Sequence, residues 1–190
     1  RTRAPQSAIA PWSEQLAKYG AAITAERITL VDALNPLVAN NYKELNETKP
    51  AQINYKFTGA NSEAEFAAKL QDVQYQEVER GTTLIGPHRD DLLLQLGDFP
   101  AKGFASHGES WSFAISLKVA ALELFKSQGM DPILILDDVF AELDTSRRQR
   151  LIFATQLAEQ TIVTAAVESD LPEELGGAKF YVSGGKVESR

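Results

Sequence analysis

The stretch from Pro132 to Ala165 limits the fold more than any other part of the chain. A short continuous apolar run, Pro132-Ile-Leu-Ile-Leu136, is followed by a helical pattern from about Thr145 to Glu159 and a second β-prone run, Thr161 to Ala165. An unbroken apolar run this short reads as a strand buried on both faces of a parallel sheet. Strand, helix and strand in so short a span predict a βαβ unit, whose crossover is right-handed in nearly all proteins. The expected fold class is therefore α/β.

Upstream the texture is helical. From about Ala8 to Asn46 apolar residues recur every three to five positions: Trp12, Leu16, Tyr19 and Ile23, then Ile28, Val31, Leu34, Val38, Tyr42 and Leu45. Asn35-Pro36 is expected to kink or restart this helix, because proline removes a backbone donor. A second helix is announced by Ser62, whose hydroxyl caps while Glu65 reaches back, with Phe66, Leu70 and Val73 on its apolar face and Gly81 as its stop. After Gly81, Thr82 to Ile85 and Leu92 to Leu96 read as strands, and Gly97-Asp98 suits a type II′ turn leading to Phe99. A helix from about Glu109 to Ser127 follows, with Trp111, Ile115, Val119, Leu122 and Phe125 on one face and Gly129 as its stop. Ala178 to Val182 and Gly184 to Val187 read as a closing hairpin. The change of texture near Glu79 to Gly81 predicts a helical lobe over residues 1–79 and an α/β part over residues 80–190.

Composition removes several chemistries. The chain has no cysteine, which excludes disulfides, zinc–thiolate sites and a cysteine nucleophile and favours a reducing compartment, so a cytoplasmic location is expected. Two histidines, His88 and His107, are too few for a multi-histidine metal site. No apolar run approaches the roughly 18 residues of a membrane-spanning helix, so no membrane partner is expected. With a net charge of −7, any nucleic-acid contact needs a local basic patch or a partner surface. The chain opens Arg1-Thr2-Arg3 and its single methionine is Met130, so it is expected to be a piece of something longer.

Two segments carry candidate chemistry. The first is Ile133-Leu-Ile-Leu-Asp137-Asp138-Val-Phe-Ala-Glu142-Leu-Asp144. In open α/β sheets ligands bind off the carboxyl ends of strands, where Asp137 and Asp138 emerge. One carboxylate at such a place can serve Mg²⁺ and the other can orient or deprotonate water. The competing reading is a strand entering a turn, where aspartate is common. The second segment is Phe104-Ala-Ser106-His-Gly108-Glu109-Ser110 at a helix start, where Ser106 and Glu109 have capping-box spacing and a helix N-terminus suits a phosphate. Magnitude separates these readings. A lost cap costs about 0.5–2 kcal/mol, so Ser106→Ala that abolished nucleotide turnover in a normally folded protein would point to phosphate contact.

Strand plus LDDVFAELD resembles the Walker B and D-loop of ATP-binding-cassette ATPases, and ASHGE before a helix is similar to their signature motif. RGTTLIGPHRDDL and LDDVFAELDTSRRQRL, together with Leu34-Asn-Pro-Leu-Val38 and Asn41-Tyr-Lys-Glu-Leu45, resemble the RecF family of DNA replication and repair proteins, within the same ABC/SMC-like superfamily. The resemblance runs along most of the chain and is densest from Arg80 to Leu151. It implies that Asp137 is the Walker B acid serving Mg²⁺ and that Asp138 stands where related ATPases polarise the hydrolytic water, usually with a longer glutamate. Ser106, Gly108 and Glu109 match the signature that contacts ATP held by the opposite subunit, and Asp144 matches the D-loop acid. Thr164 lies where many relatives have a switch histidine, which makes it a candidate phosphate sensor. His88 and Arg89, in Gly86-Pro-His-Arg-Asp-Asp91, are further candidates, against a rigid turn held by a salt bridge. Arg147, Arg148 and Arg150 either meet DNA or form a solvated face, the latter being the commoner use.

The phosphate-cradling G-x-x-x-x-G-K-[ST] is absent, since Gly184-Gly-Lys186-Val187 lacks the earlier glycine and the following hydroxyl. The expectation is therefore the C-terminal half of an ABC-type P-loop ATPase head, a βαβ sheet plus a helical lobe, inactive alone. The resemblance implies ATP and Mg²⁺ as cofactors, a homodimer as the working form, and DNA and recombination mediator proteins as partners. Two other classes remain: a structural head of the SMC type, which needs long heptad arms, and a non-enzymatic DNA or protein interaction module.

Overall fold

A computed structural model describes residues 6–45, 48–141 and 143–189. Glu142, in the acid-rich segment after Asp138, lies outside the described residues, as do the first five residues of the expected lobe. The chain divides into two compact units, Arg1–Ala120 and Ala121–Arg190, the division falling along one helix.

The first unit begins with α1 (Gln6–Glu44), which runs without interruption through both Pro11 and Pro36. The expected restart at Pro36 does not occur. The neighbouring Asn35 has a structural use instead: its Oδ1 accepts the Ile53 N–H at 2.9 Å, tying an edge strand to the helix. That strand, β1 (Ala51–Lys56), was not anticipated, although Ala51, Ile53 and Tyr55 alternate with Gln52, Asn54 and Lys56 in the period of two that marks a half-buried strand. α2 (Glu63–Arg80) starts as expected, Ser62 accepting the Glu65 N–H, and Gly81 closes it in the left-handed conformation.

Thr82 to Ile85 is not a strand. The segment is an irregular loop pinned by side chains, Leu84 N–H donating to the Glu77 carboxylate at 2.7 Å and Arg89 donating to the Thr83 carbonyl at 3.0 Å. Its β-branched residues gave the sequence a strand-like look, while side-chain hydrogen bonds from Glu77 and Arg89, on either side of it, fix it as a loop. β2 (Asp91–Leu96) follows, then β3 (Phe99–Pro100), with Gly97 at positive φ as a type II′ turn requires. The sheet order is β1-β2-β3, all antiparallel, with Ala51 opposite Leu96 and Lys56 opposite Asp91. α3 (Ala101–Phe104) is a single turn with non-helical dihedrals at Lys102 and Gly103, and α4 (His107–Ser127) follows.

Among the described residues, two apolar clusters hold this unit. One joins Val38 and Tyr42 of α1 to Ala51, Ile53, Leu96 and Phe113. The other wraps Ala17, Ala21, Ala60, Leu70 and Ile85 around Phe66. Of the expected stripe on α4, Ile115, Val119 and Leu122 are buried and Trp111 is half-buried, whereas Phe125 is exposed and Phe113 is buried in addition.

The second unit contains the predicted βαβ. β4 (Ile133–Asp137) and β5 (Gln160–Thr164) pair in parallel around α5 (Thr145–Leu157), with Ile135 opposite Ile162 and Asp137 opposite Thr164. Burial on both faces is not found, because Ile133 and Ile135 are 56% and 65% exposed. One face, with Leu136 at its centre, is covered; the other, bearing Ile133, Ile135 and Ile162, is bare. A short 3₁₀ turn (Glu168–Asp170) leads to the hairpin of β6 (Phe180–Ser183) and β7 (Lys186–Ser189). Gly184 and Gly185, expected at the start of the second strand, form the turn instead. Both have positive φ, which a type I′ turn demands and glycine supplies without a Cβ clash. Among the described residues, no helix is long and apolar enough to cross a membrane.

Candidate functional site

In the second unit β4 delivers Asp137 and Asp138 at its carboxyl end, and the parallel register puts Thr164 beside them. Thr164 Oγ1 donates to Asp137 Oδ1. The Asp138 N–H points back at the same residue, 3.1 Å from the Thr164 carbonyl and 3.2 Å from its hydroxyl. Asp138 has φ of +52°, the single non-glycine residue at positive φ among those described. Aspartate tolerates this conformation better than most residues, but it still costs of order 1 kcal/mol. The turn is therefore held by its surroundings, and successive carboxylates leave the strand in different directions.

The sequence singled out the same three residues, but it did not show that one hydroxyl joins them. Their oxygens are hard donors of the kind Mg²⁺ accepts when phosphates and water complete its shell. Among the described residues no group of three or more His, Cys, Asp or Glu side chains is arranged to hold a metal unaided. A site built from Asp137 and Asp138 would thus lean on ligands from the substrate, as Mg²⁺ sites commonly do.

Asp144 caps α5. Its carboxylate accepts the Arg147 N–H at 3.0 Å and also pairs with the Arg147 guanidinium. Arg148 donates to the Phe140 carbonyl at 3.3 Å, while Arg150 bonds Glu123 at 3.1 Å and lies over the Phe153 ring. The arginines hold the loop after β4 and the flank of α5, which does not fit a solvated face.

In the first unit the capping box at α4 is complete. Glu109 N–H donates to Ser106 Oγ at 3.2 Å, and Glu109 Oε2 accepts the Ser106 N–H at 2.8 Å. Ser106 Oγ thus accepts the Glu109 N–H, and its hydroxyl also bonds the Glu109 carboxylate. Sequence reading missed Lys49, which lies far off in sequence and bonds Glu109 Oε1 at 2.6 Å. The Lys49 hydrogen bond, followed by those from Ser106, holds the Glu109 carboxyl down at about 2. Because the folded value lies below the ordinary 4.5, the pair's contribution is complete above about pH 4.5 and is lost as pH falls through about 2. Side-chain NMR titration should find a Glu109 midpoint near 2 that Lys49→Met moves upward; a wild-type midpoint near 4.5 would contradict the pairing.

The Gly86–Asp91 segment is organised around Asp90, whose side chain is 1% exposed. It accepts the Thr58 N–H at 2.8 Å, the Thr58 hydroxyl at 3.0 Å and the Tyr55 hydroxyl. Burial, then the bond to Asp90, raises the Tyr55 phenol above its usual value, with Arg27 opposing. Arg27 donates to the Pro87 carbonyl at 2.8 Å. His88 is within 2.6 Å of the Thr83 hydroxyl, and Arg89 donates to the Thr82 hydroxyl and the Thr83 carbonyl. All three basic residues are thus engaged within the loop and its supports.

Over these residues the fold is that of part of a RecF or SMC head. It matches a structure described as "Structure of the recombination mediator protein RecF-ATP in RecFOR pathway" with a TM-score of 0.81 at 22% identity, over 98% of this chain and 51% of that one. It also matches the SMC head in "Crystal structure of the SmcHead bound to the C-winged helix domain of ScpA" with a TM-score of 0.52 at 14% identity, over 94% of this chain and 48% of that one. In sequence, the chain is 46% identical over 185 residues to "DNA replication and repair protein RecF" of Streptomyces avermitilis, covering 93% of this chain and 50% of that protein. The protein of the same name from Rhodococcus erythropolis is 46% identical over 197 residues, covering 93% of this chain and 48% of that protein. Over the span they share, the chain belongs to the RecF family. It spans about half the length of these curated relatives. No protein-family model matches it.

Proposed function

We propose that the chain is part of a RecF-like, ATP-dependent DNA-binding protein of recombinational repair and replication, working in the cytoplasm. The carrying observation is the Asp137-Asp138-Thr164 arrangement at the end of a parallel βαβ, in a chain 46% identical to RecF proteins. Asp137 is the residue that would hold Mg²⁺, whose charge offsets that of the ATP phosphates when it is bound. Asp138 orients a water toward the γ-phosphorus. The water oxygen forms the new P–O bond, the bond to the ADP oxygen breaks, and Asp138 takes the water's proton and returns it to solvent. Ser106, with Gly108 and the start of α4, would meet the γ-phosphate held by a second copy. Glu109 and Lys49 hold that turn, and Asp144 lies at the subunit boundary. ATP would then close a homodimer on DNA and hydrolysis would reopen it, with recombination mediator proteins as partners.

The bare face of β4 and β5 supports the reading that the head is completed by residues beyond these 190. A parallel sheet is ordinarily covered on both faces, whereas Ile133, Ile135 and Ile162 are exposed. The chain also lacks the Walker A loop that would cradle the β- and γ-phosphates. The purified 190-residue chain is therefore expected to hydrolyse no ATP above a protein-free blank. Steady ATP turnover by this chain that is insensitive to Asp138→Asn would sink the proposal.

A further inference from the structure

We propose that Thr164 is a positioning residue that sets both acids through one hydroxyl, in place of touching the γ-phosphate itself. The inference rests on the ATPase reading above for its meaning in turnover, though the contacts it invokes stand independently.

A threonine hydroxyl has one proton to give. Here it is given to Asp137 Oδ1, and the oxygen side of the same hydroxyl faces the Asp138 N–H at 3.2 Å. A direct bond from Thr164 to a phosphate oxygen would require that proton to leave Asp137. The present arrangement has a different consequence for each acid. Asp137 is turned so that Oδ1 is occupied and Oδ2 has no partner among the described residues, leaving one oxygen presented outward. At Asp138 the left-handed backbone is secured by a donor shared between the Thr164 carbonyl and hydroxyl. Without such a tether a non-glycine residue relaxes toward negative φ, and the second carboxylate changes direction.

The register makes this possible. Asp137 and Thr164 are direct partners across β4 and β5, so their side chains stand side by side on one face. The β-branch of threonine restricts χ1 and limits where the hydroxyl can point. Valine keeps that branch and removes only the hydroxyl, whereas serine keeps the hydroxyl and removes the branch. The two substitutions therefore separate hydrogen bonding from shape.

In the 190-residue chain, NMR couplings across the Asp137 side chain should report one χ1 rotamer in the wild type and averaged rotamers in Thr164→Val. The Asp138 amide should exchange about 3- to 10-fold faster in Thr164→Val, as loss of one net hydrogen bond implies. Thr164→Ser should remain close to wild type in both. In the complete protein, Thr164→Val should lower kcat for ATP about 10- to 100-fold, the usual effect of losing an orienting partner. Its KM for ATP should stay within about 2-fold, and Thr164→Ser should restore most of the rate. A single Asp137 rotamer in folded Thr164→Val overturns the proposal, and so does a raised KM with unchanged kcat, which would mark direct phosphate contact. If the complete wild-type protein shows no ATP turnover, the ATPase reading fails, and the couplings still decide whether Thr164 holds the acids.

Discussion

Asp138→Asn in the complete protein is expected to slow ATP hydrolysis about 10²- to 10⁴-fold while ATP binding stays within about 2-fold, because only the proton acceptor is removed. Asparagine is the informative replacement here. It tolerates the left-handed conformation that Asp138 adopts, and its N–H can still meet Thr164, so the turn is preserved. Alanine at this position would mix a lost base with backbone relaxation. Single-turnover hydrolysis together with equilibrium nucleotide binding checks the result. Turnover within about 2-fold of wild type would assign the base to another group.

The second large effect is on stability. Phe66→Ala is expected to destabilise the first unit by about 3–5 kcal/mol, the range for emptying a buried aromatic site. Phe66 is 0% exposed and sits between backbones that only glycine allows so close: a Cβ at Gly20 would lie 2.9 Å from the ring and one at Gly59 2.2 Å from it. Neighbours this rigid collapse little into a cavity, which places the cost high in the range. Trp12 and Trp111 are the only tryptophans, and both belong to the unit of residues 1–120. Tryptophan fluorescence during urea unfolding therefore reports on that unit. A loss below about 1 kcal/mol would show that the site repacks.

The capping box at Ser106 and the Ser62 cap were legible because capping is local: a hydroxyl and the backbone three residues on meet in any helix start. The βαβ unit was legible for a similar reason, since its two apolar runs and the intervening helix are adjacent in the chain. Thr82 to Ile85 looked like a strand, but the nearby side chains of Glu77 and Arg89 take the Leu84 N–H and the Thr83 carbonyl, an arrangement that β-branched content does not reveal. Most of the α4 face was legible, with Ile115, Val119 and Leu122 buried; Phe113, 5.8 Å from Tyr42 between ring centres, adds to it, and Phe125 at the helix end is exposed. β1 carries its signal locally, in the alternation of Ala51, Ile53 and Tyr55 with Gln52, Asn54 and Lys56.

The sequence by itself determined the family, the two candidate acids and the absence of the phosphate-cradling loop, because each is a matter of residue identity and spacing. Tertiary structure alone decided what those residues do to one another. Asp137 and Thr164 are neighbours only because β4 and β5 pair in parallel in a particular register, and a shift of one residue would turn the hydroxyl to the opposite face. Likewise Lys49 reaches Glu109 only through the folding of the first unit. Hydrogen bonds act over about 3 Å, and which groups come that close across dozens of residues is settled by packing, which no local spacing encodes.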